Sequence, residues 1–425
     1  MNRRYFIMGA AATAAAIRPS VLRSANDTIR IGIAGLRSRG GDHIKGFASL
    51  PNVEVAALCD VDQNILESRV KDLDRLGKPK PATFVDFRKM LEDKSIDAVS
   101  IATPNHWHTL QTIWACQAGK DVYVEKPVSH NIFESKQIVA AANKYNRIVQ
   151  QGSQSRSSPA LQEAFKQLRE GLLGEIYMAR GLCFKPRNTI GKTPVEPVPP
   201  GVDYDLWTGP APLRPFTRNR FHYNWHWFWD TGNGDFGNQG IHEVDKARWG
   251  LGVTYPTLVT AVGGKVMFDD DQETPNVLTV GYEFEVGGKK KLMTFEVRHW
   301  HTNAEKNAKI GNLYYGEKGY MVVPSYDQAS VFFGQKEEPG PSWRQAGDHY
   351  ANFIGAVRSR KVSDLTCPVE EGAISCTLMH LGNISYRLGR SLKFDPVNLK
   401  VIGDEEANRM FTRDYRKPFV VPDQV

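Results

Sequence analysis

The chain has 425 residues, 41% of them hydrophobic and 24% charged, so it is too long for one ordinary core and too apolar for a disordered segment; two folded domains are expected. Its formal charge of +7 includes four arginines in the first 25 residues, where there is no acid, leaving +3 elsewhere; with no extended basic block or RNA-binding signature, a nucleic-acid partner is not expected. Cys59, Cys116, Cys183, Cys367 and Cys376 are too few and too scattered for a disulfide framework or a metal knuckle, although a Cys367–Cys376 bridge stays open.

The amino terminus reads as an address. Asn2-Arg3-Arg4-Tyr5-Phe6-Ile7-Met8 followed by the apolar run 9–17 is a twin-arginine pattern, and the run is too short to cross a bilayer as an ordinary transmembrane helix. Residues 1–25 are therefore assigned to a signal segment, and a periplasmic or otherwise exported protein is expected. A cut after Ala25 would put Arg23 at the third position back, so retention of the segment as an amino-terminal anchor stays open. No other membrane span is expected.

Residues 26–150 alternate strands and helices in the manner of a doubly wound, Rossmann-like dinucleotide-binding domain. A first strand is predicted over 28–34 with its helix over 42–50, then a strand over 53–59 and a helix over 64–76. Residues 83–84 form a short strand before the amphipathic 86–92. The buried strand 98–102 precedes a helix over 108–118, which Gly119 ends. Strand 121–124 then carries Glu125, Lys126 and Pro127 out of the sheet, since Pro127 cannot donate to a ladder. Lys126 thus sits at a strand tip, where ligands bind in open α/β sheets and where an amine can hydrogen-bond a reacting oxygen. A helix over 131–143 and a strand over 147–151 complete the unit.

Between the first strand and its helix, Gly35 and Gly40 match the outer positions of a Gly-x-Gly-x-x-Gly fingerprint, with Arg37 in place of the middle glycine and Ser38 and Arg39 completing the loop. Asp60 ends the second strand at the offset expected for the acid that binds the adenosine ribose. A carboxylate there repels a 2′-phosphate, which favours NAD over NADP, while Arg37 and Arg39 oppose that preference.

Residues 151–425 are assigned to a second domain for substrate binding and oligomerisation. Residues 185–240 are rich in Pro, Gly, Trp and His; strands dominate from 258 to 333, and helices are predicted over 349–359 and 374–388. Gln154 and Arg156 follow the domain junction and are placed facing the cleft. The run Phe221 to Asp230 mixes aromatic rings, imidazoles and an amide, with Tyr223, His226 and Trp227 as candidate sugar contacts; a subunit interface selects the same residues, and both readings stand. His222 and His226 have the spacing of two metal ligands on a helix, but no third ligand is placed and no metal site is assigned.

With Gly35 to Gly40, Asp60, Thr103-Pro104-Asn105-His106-Trp107-His108 and Glu125-Lys126-Pro127 in this order, the chain resembles the glucose-fructose oxidoreductase, inositol dehydrogenase and MocA family, and its secreted members in particular through residues 203–207 and 234–248. The resemblance implies a Rossmann domain followed by an α+β domain with an open-faced, mainly antiparallel mixed sheet that builds dimers or tetramers. It implies that Thr103, Pro104, Asn105, His108, Glu125, Gln154 and Trp207 line the cofactor crevice, that Lys126 touches the substrate hydroxyl, and that His242 relays the proton. The family has an aspartate four residues before that histidine, where this chain has Asn238; Asp235 and Asp245 are the nearby acids that could replace it. The expectation is an exported oxidoreductase moving a hydride between a sugar or glycoside ring carbon and tightly bound NAD. A redox-assisted glycosidase and a non-catalytic carbohydrate-binding protein are the alternatives.

Overall fold

The computed structural model describes residues 28–425, so the twin-arginine pattern and its apolar run lie outside the described residues. Six strands, β1 (Ile29–Ala34), β2 (Val53–Cys59), β3 (Ala82–Phe84), β4 (Ala98–Ile101), β5 (Asp121–Val124) and β6 (Val149–Gln151), form one sheet in the order β3-β2-β1-β4-β5-β6. Every neighbouring pair is parallel. Parallel strands covered on both faces must be apolar along their whole length, and Val122, Tyr123 and Val124 of β5 are fully buried. The strand order reverses beside β1, which opens a crevice at the carboxyl ends of β1 and β4.

The helices α1 (Arg39–Ala48), α2 (Gln63–Arg75), α3 (Phe87–Leu91), α4 (Asn105–Gln117) and α5 (Ile132–Lys144) connect these strands. Their starts follow from side-chain caps: Asp62 accepts from Asn64 N in α2, Asp86 from Arg88 N in α3, and Asn131 from Glu134 N in α5. Behind Pro104, α4 begins three residues earlier than expected, which draws His106 and His108 into its buried first turn.

Helix α6 (Pro159–Arg169) leads into β7 (Ile176–Cys183). After a long connection containing α7 (Tyr204–Thr208) and α8 (Ile241–Leu251), the chain lays down β8 (Leu258–Gly264), β9 (Val277–Val286), β10 (Lys289–Arg298), β11 (Ile310–Gly316), β12 (Gly319–Val323), β13 (Gln328–Phe333) and β14 (Glu338–Arg344). Then come α9 (His349–Ser359), α10 (Val369–Leu388), β15 (Leu392–Asp395) and β16 (Lys400–Val401). The ten strands order as β14-β13-β12-β11-β7-β10-β9-β8-β15-β16, antiparallel except where β7 lies parallel to β10. Gly287 and Gly288, both at positive φ, turn the β9–β10 hairpin. Helices α8 and α10 pack on one face of this sheet.

The expected division at residue 150 falls at the end of β6, but the first domain is completed from far along the chain. Phe353, Ile354 and Val357 of α9 join Ile33, Phe47 and Tyr123 in one buried cluster. All five cysteines are buried and free, so Cys367 and Cys376 form no bridge.

Candidate active site

A cleft of about 710 Å³ runs across the carboxyl ends of β1, β2 and β4, with the first domain as its floor and residues of 206–207 and 221–226 opposite. Two glycines shape its inner turn. Gly35 has φ +76°, and a Cβ there would lie 2.5 Å from Thr103 N; a Cβ on Gly40 would lie 1.8 Å from Gly35 O. Only glycine fits either position, one for the turn and one for the close helix. The amides of Arg37, Ser38 and Arg39, which lead into α1, donate to nothing among the described residues, leaving a helix start suited to a pyrophosphate. Arg37 lines the cleft with its side chain exposed.

Asp60 holds this turn from β2. Its carboxylate accepts from Leu36 N at 2.7 Å and from Asp62 N at 3.0 Å, and burial pushes its pKa up to about 6 despite those two bonds. Arg39 does not reach the adenosine end, as the sequence suggested it would. It turns towards β5, where Nε donates to Glu125 Oε1 at 2.9 Å, so of the two arginines weighed against NAD only Arg37 stays near Asp60.

Glu125 is the hub of the other end. Its Oε1 also meets His43 Nε2 at 3.1 Å and Gln154 Nε2 at 3.2 Å. Burial alone would raise its pKa, but the Arg39 charge and the His43 bond hold it well below the usual carboxylate range. Gln154 therefore props Glu125 and stands behind the cleft wall. Thr103, Pro104, His108 and Trp207 line the wall. His108 spans the carbonyls of Pro127 and Thr103, each at 2.7 Å, and ties the two strand ends together. Asn105 faces away and donates to Asn233 Oδ1 at 2.6 Å.

Beyond Glu125, Lys126 points its Nζ at Asn238 O, 2.5 Å away. That carbonyl belongs to the π-turn Phe236–Gly240 that leads into α8, a kind of turn frequent at functional sites. Burial lowers the Lys126 pKa, against the opposing pull of Glu125. His242, in the first turn of α8, is buried; burial and then the Lys126 charge keep its pKa well below the usual value, so its ring is neutral. Its Nδ1 has no partner among the described residues. Neither acid proposed as its orienter serves it. Asp235 is taken by Arg187 and lies 2.9 Å from His299 Nε2, and Asp245 is held by Arg156 and Ser375. The ring of Tyr326 instead packs against His242 edge to face at 5.1 Å.

Two of the expected substrate contacts are not in the cleft. Arg156 is buried in a bidentate pair with Asp245, bonds Glu371 as well, and stacks on Trp249, so it fastens α10 to α8. Trp227 is buried beneath the loop, under Arg187 and against His299. Tyr223, His226 and Asn238 line the cleft, as do Phe221, His222, Asn224 and Trp225 of the same aromatic run. His226 donates from Nδ1 to Tyr223 O at 2.6 Å, and burial lowers its pKa to about 3, so a neutral ring leaves Nε2 as an acceptor. His222 turns instead to Asp62, and the two imidazoles do not converge on a metal.

An NAD molecule fits this arrangement: a glycine turn with free amides at a helix start, a ribose-side carboxylate and a lysine beyond, all along one cleft. The family model described as "Oxidoreductase family, NAD-binding Rossmann fold" matches residues 29–153, and its partner, "Oxidoreductase family, C-terminal alpha/beta domain", matches residues 172–421. A glycosyl hydrolase family 109 protein of Shewanella pealeana is 29% identical over 202 residues, which is 41% of this chain and 44% of that protein. An alpha-N-acetylgalactosaminidase of Shewanella oneidensis is 29% identical over 154 residues, 35% of this chain and 34% of that one. The matches thus cover less than half the length of these relatives. Among solved structures, aldose-aldose oxidoreductase from Caulobacter crescentus superposes with a TM-score of 0.67 at 18% identity, covering 86% of this chain and 100% of that one. The WlbA dehydrogenase of Chromobacterium violaceum, crystallised with NADH and UDP-GlcNAcA, gives 0.65 at 22% identity, covering 87% and 97%. At these identities the likeness is one of fold.

Proposed function

The chain belongs to the Gfo/Idh/MocA oxidoreductase family, and from that premise we propose that it oxidises and reduces a ring carbon of a sugar or glycoside with tightly held NAD. The observation that carries the reading is Lys126 at the far end of an NAD cleft, bonded to Asn238 O and near enough for its charge to act on the neutral, buried His242 one turn further along the chain. When bound, NAD supplies the hydride acceptor and donor. Lys126 hydrogen-bonds the substrate oxygen and stabilises the charge that develops as its proton leaves. His242, kept unprotonated by burial and by Lys126, takes that proton and returns it in the reverse direction. Tyr223, Trp225 and His226 offer aromatic faces and a ring nitrogen to a pyranose.

Export by the twin-arginine route is part of this proposal and rests on Arg3 and Arg4. A cofactor outside the cytoplasm is not renewed from a soluble pool, so it must be recycled on the enzyme, by a second carbonyl substrate or within a redox-neutral reaction. The second reading is the redox-neutral one, a glycosidase that oxidises, eliminates, hydrates and re-reduces the sugar; the names of the curated relatives favour it.

The test is single-turnover absorbance of bound NAD against a panel of glycosides and free hexoses, with product analysis. Release of keto sugar supports the oxidoreductase, and release of aglycone with no net change in NAD supports the glycosidase. Silence across the panel in protein that holds NAD overturns both.

A further inference from the structure

The second domain touches the adenosine side of the cleft through a set of bonds that no catalytic step requires. Gln63 N donates to Gly201 O at 3.0 Å and Asp203 N to Val61 O at 2.9 Å, so the segment after β2 is tied to the loop before α7 on both sides. His222 Nε2 donates to Asp62 Oδ2 at 2.9 Å. The other Asp62 oxygen caps α2, and Asp62 N donates to Asp60. A continuous hydrogen-bond chain therefore runs from His222 of the second domain, through Asp62 and Asp60, to Leu36 N of the glycine turn.

The segment that makes these bonds is packed by aromatic rings. Tyr204 stacks on Trp207 at 5.4 Å, and Phe221 packs edge-on against both Trp207 and Phe216. Trp207 O accepts from Trp107 Nε1 at 3.1 Å, which fixes the segment to α4 on the opposite wall. Leu206, Trp207, Phe221 and His222 all line the cleft facing Asp60 and Val61.

We propose that these four residues roof the adenosine subsite, and that the His222–Asp62 bond is the latch that keeps the roof shut and the dinucleotide in place. The inference rests on the NAD reading above, and it adds a reason for retention that the Rossmann half alone does not contain. A nucleotide under this roof leaves only when the latch and the two backbone bonds beside it open. His222 is a positioning residue here, acting on the nucleotide through Asp62 and Asp60.

The experiment is displacement of bound NADH by excess NAD⁺, followed by nicotinamide fluorescence, in the whole protein and in His222→Ala and His222→Gln. Glutamine restores a donor at similar reach. The expected result is release about tenfold faster from His222→Ala, the scale of one lost hydrogen bond, with His222→Gln close to the parent. Equal release from all three proteins overturns the latch while leaving NAD binding intact, and a parent protein with no nucleotide overturns the cofactor reading itself. Amide exchange at Gln63 and Asp203 in the parent gives a test that needs no variant. Saturating NADH should slow both, and exchange indifferent to NADH overturns the roof.

Discussion

Lys126 acts on the protonation of His242 before any substrate arrives. Burial lowers both pKa values, and the Lys126 charge lowers that of His242 further, so the imidazole is ready to accept a proton across the neutral range. Lys126→Ala and His242→Ala should each leave bound NAD in place while slowing its sugar-dependent reduction by roughly a hundredfold or more. Asn238→Asp should raise the His242 pKa by adding a negative charge beside it, so that on lowering the pH the rate falls off earlier in the variant than in the parent. Unchanged alanine rates, or superimposable pH profiles, would remove these roles. Asp60 carries a second pH dependence. Its carboxyl binds a proton more tightly folded, at about 6, than unfolded, at about 3.9, so ionised Asp60 costs about 3 kcal/mol above pH 6 and that cost fades as pH falls towards 4. Nucleotide-free Asp60→Asn should therefore melt higher than the parent at pH 7.5, net of about 1 kcal/mol for one lost acceptor, and the gap should close by pH 4.5. Its NAD affinity should fall. A gap independent of pH in thermal melts would refute the assignment. Gly35, Gly40, Asp60 and Lys126 were legible in the sequence because each sits in a contiguous motif at a strand end, where the fold dictates position. Arg156 and Trp227 were misread because their partners, Asp245 and Glu371 for one and Arg187 and His299 for the other, lie 40 to 215 residues away and carry no local signal.

The π-turn of Phe236–Gly240 and the helix α8 behind it form the element that sets Lys126 and His242 at the same place. Gly240 lies at their junction, and a Cβ added there would meet Phe295 Cζ at 2.1 Å and Phe295 Cε2 at 2.8 Å. Phe295 stacks on Phe236 at 4.3 Å, so the ring is held by the turn it would have to leave. Gly240→Ala should cost about 1–3 kcal/mol of overpacking and slow catalysis by moving His242, with the NAD cleft retained. Catalysis at the parental rate in a folded variant would show that the turn tolerates displacement. The first-domain strands were legible from their apolar runs and from caps such as Asp62, Asp86 and Asn131. Strand β7 was not: it enters the middle of the second sheet between β10 and β11, and those partners follow it by more than 100 residues. The 3₁₀ turn at Asn224–Trp227 was equally hidden. It replaces the helix that would have aligned His222 with His226, and it brings Trp225 to the cleft while burying Trp227.

At the scale of the whole molecule, the chain returns to its first domain after finishing most of the second, and this return joins the cofactor site to the rest. Tyr350 of α9 packs against His43, Phe47 and Tyr123, and His43 in turn holds Glu125. Phe353 on the same helix is fully buried, 6.2 Å from Phe47 and 5.8 Å from Tyr123 between ring centroids. Helix α10 then runs back across α5 and α8, and its Glu371 bonds Arg156 and Arg248. Neither domain owns a complete core, so the two should unfold together. Phe353→Ala removes a large side chain from that shared core and should cost about 3–5 kcal/mol. The expected outcome is one melting transition, shifted down, in which release of NADH and loss of tryptophan fluorescence coincide in both parent and variant. If α9 merely decorates a self-sufficient Rossmann unit, the variant will instead show two separated transitions, with NADH release at one temperature and unfolding of the tryptophan-rich second domain at another.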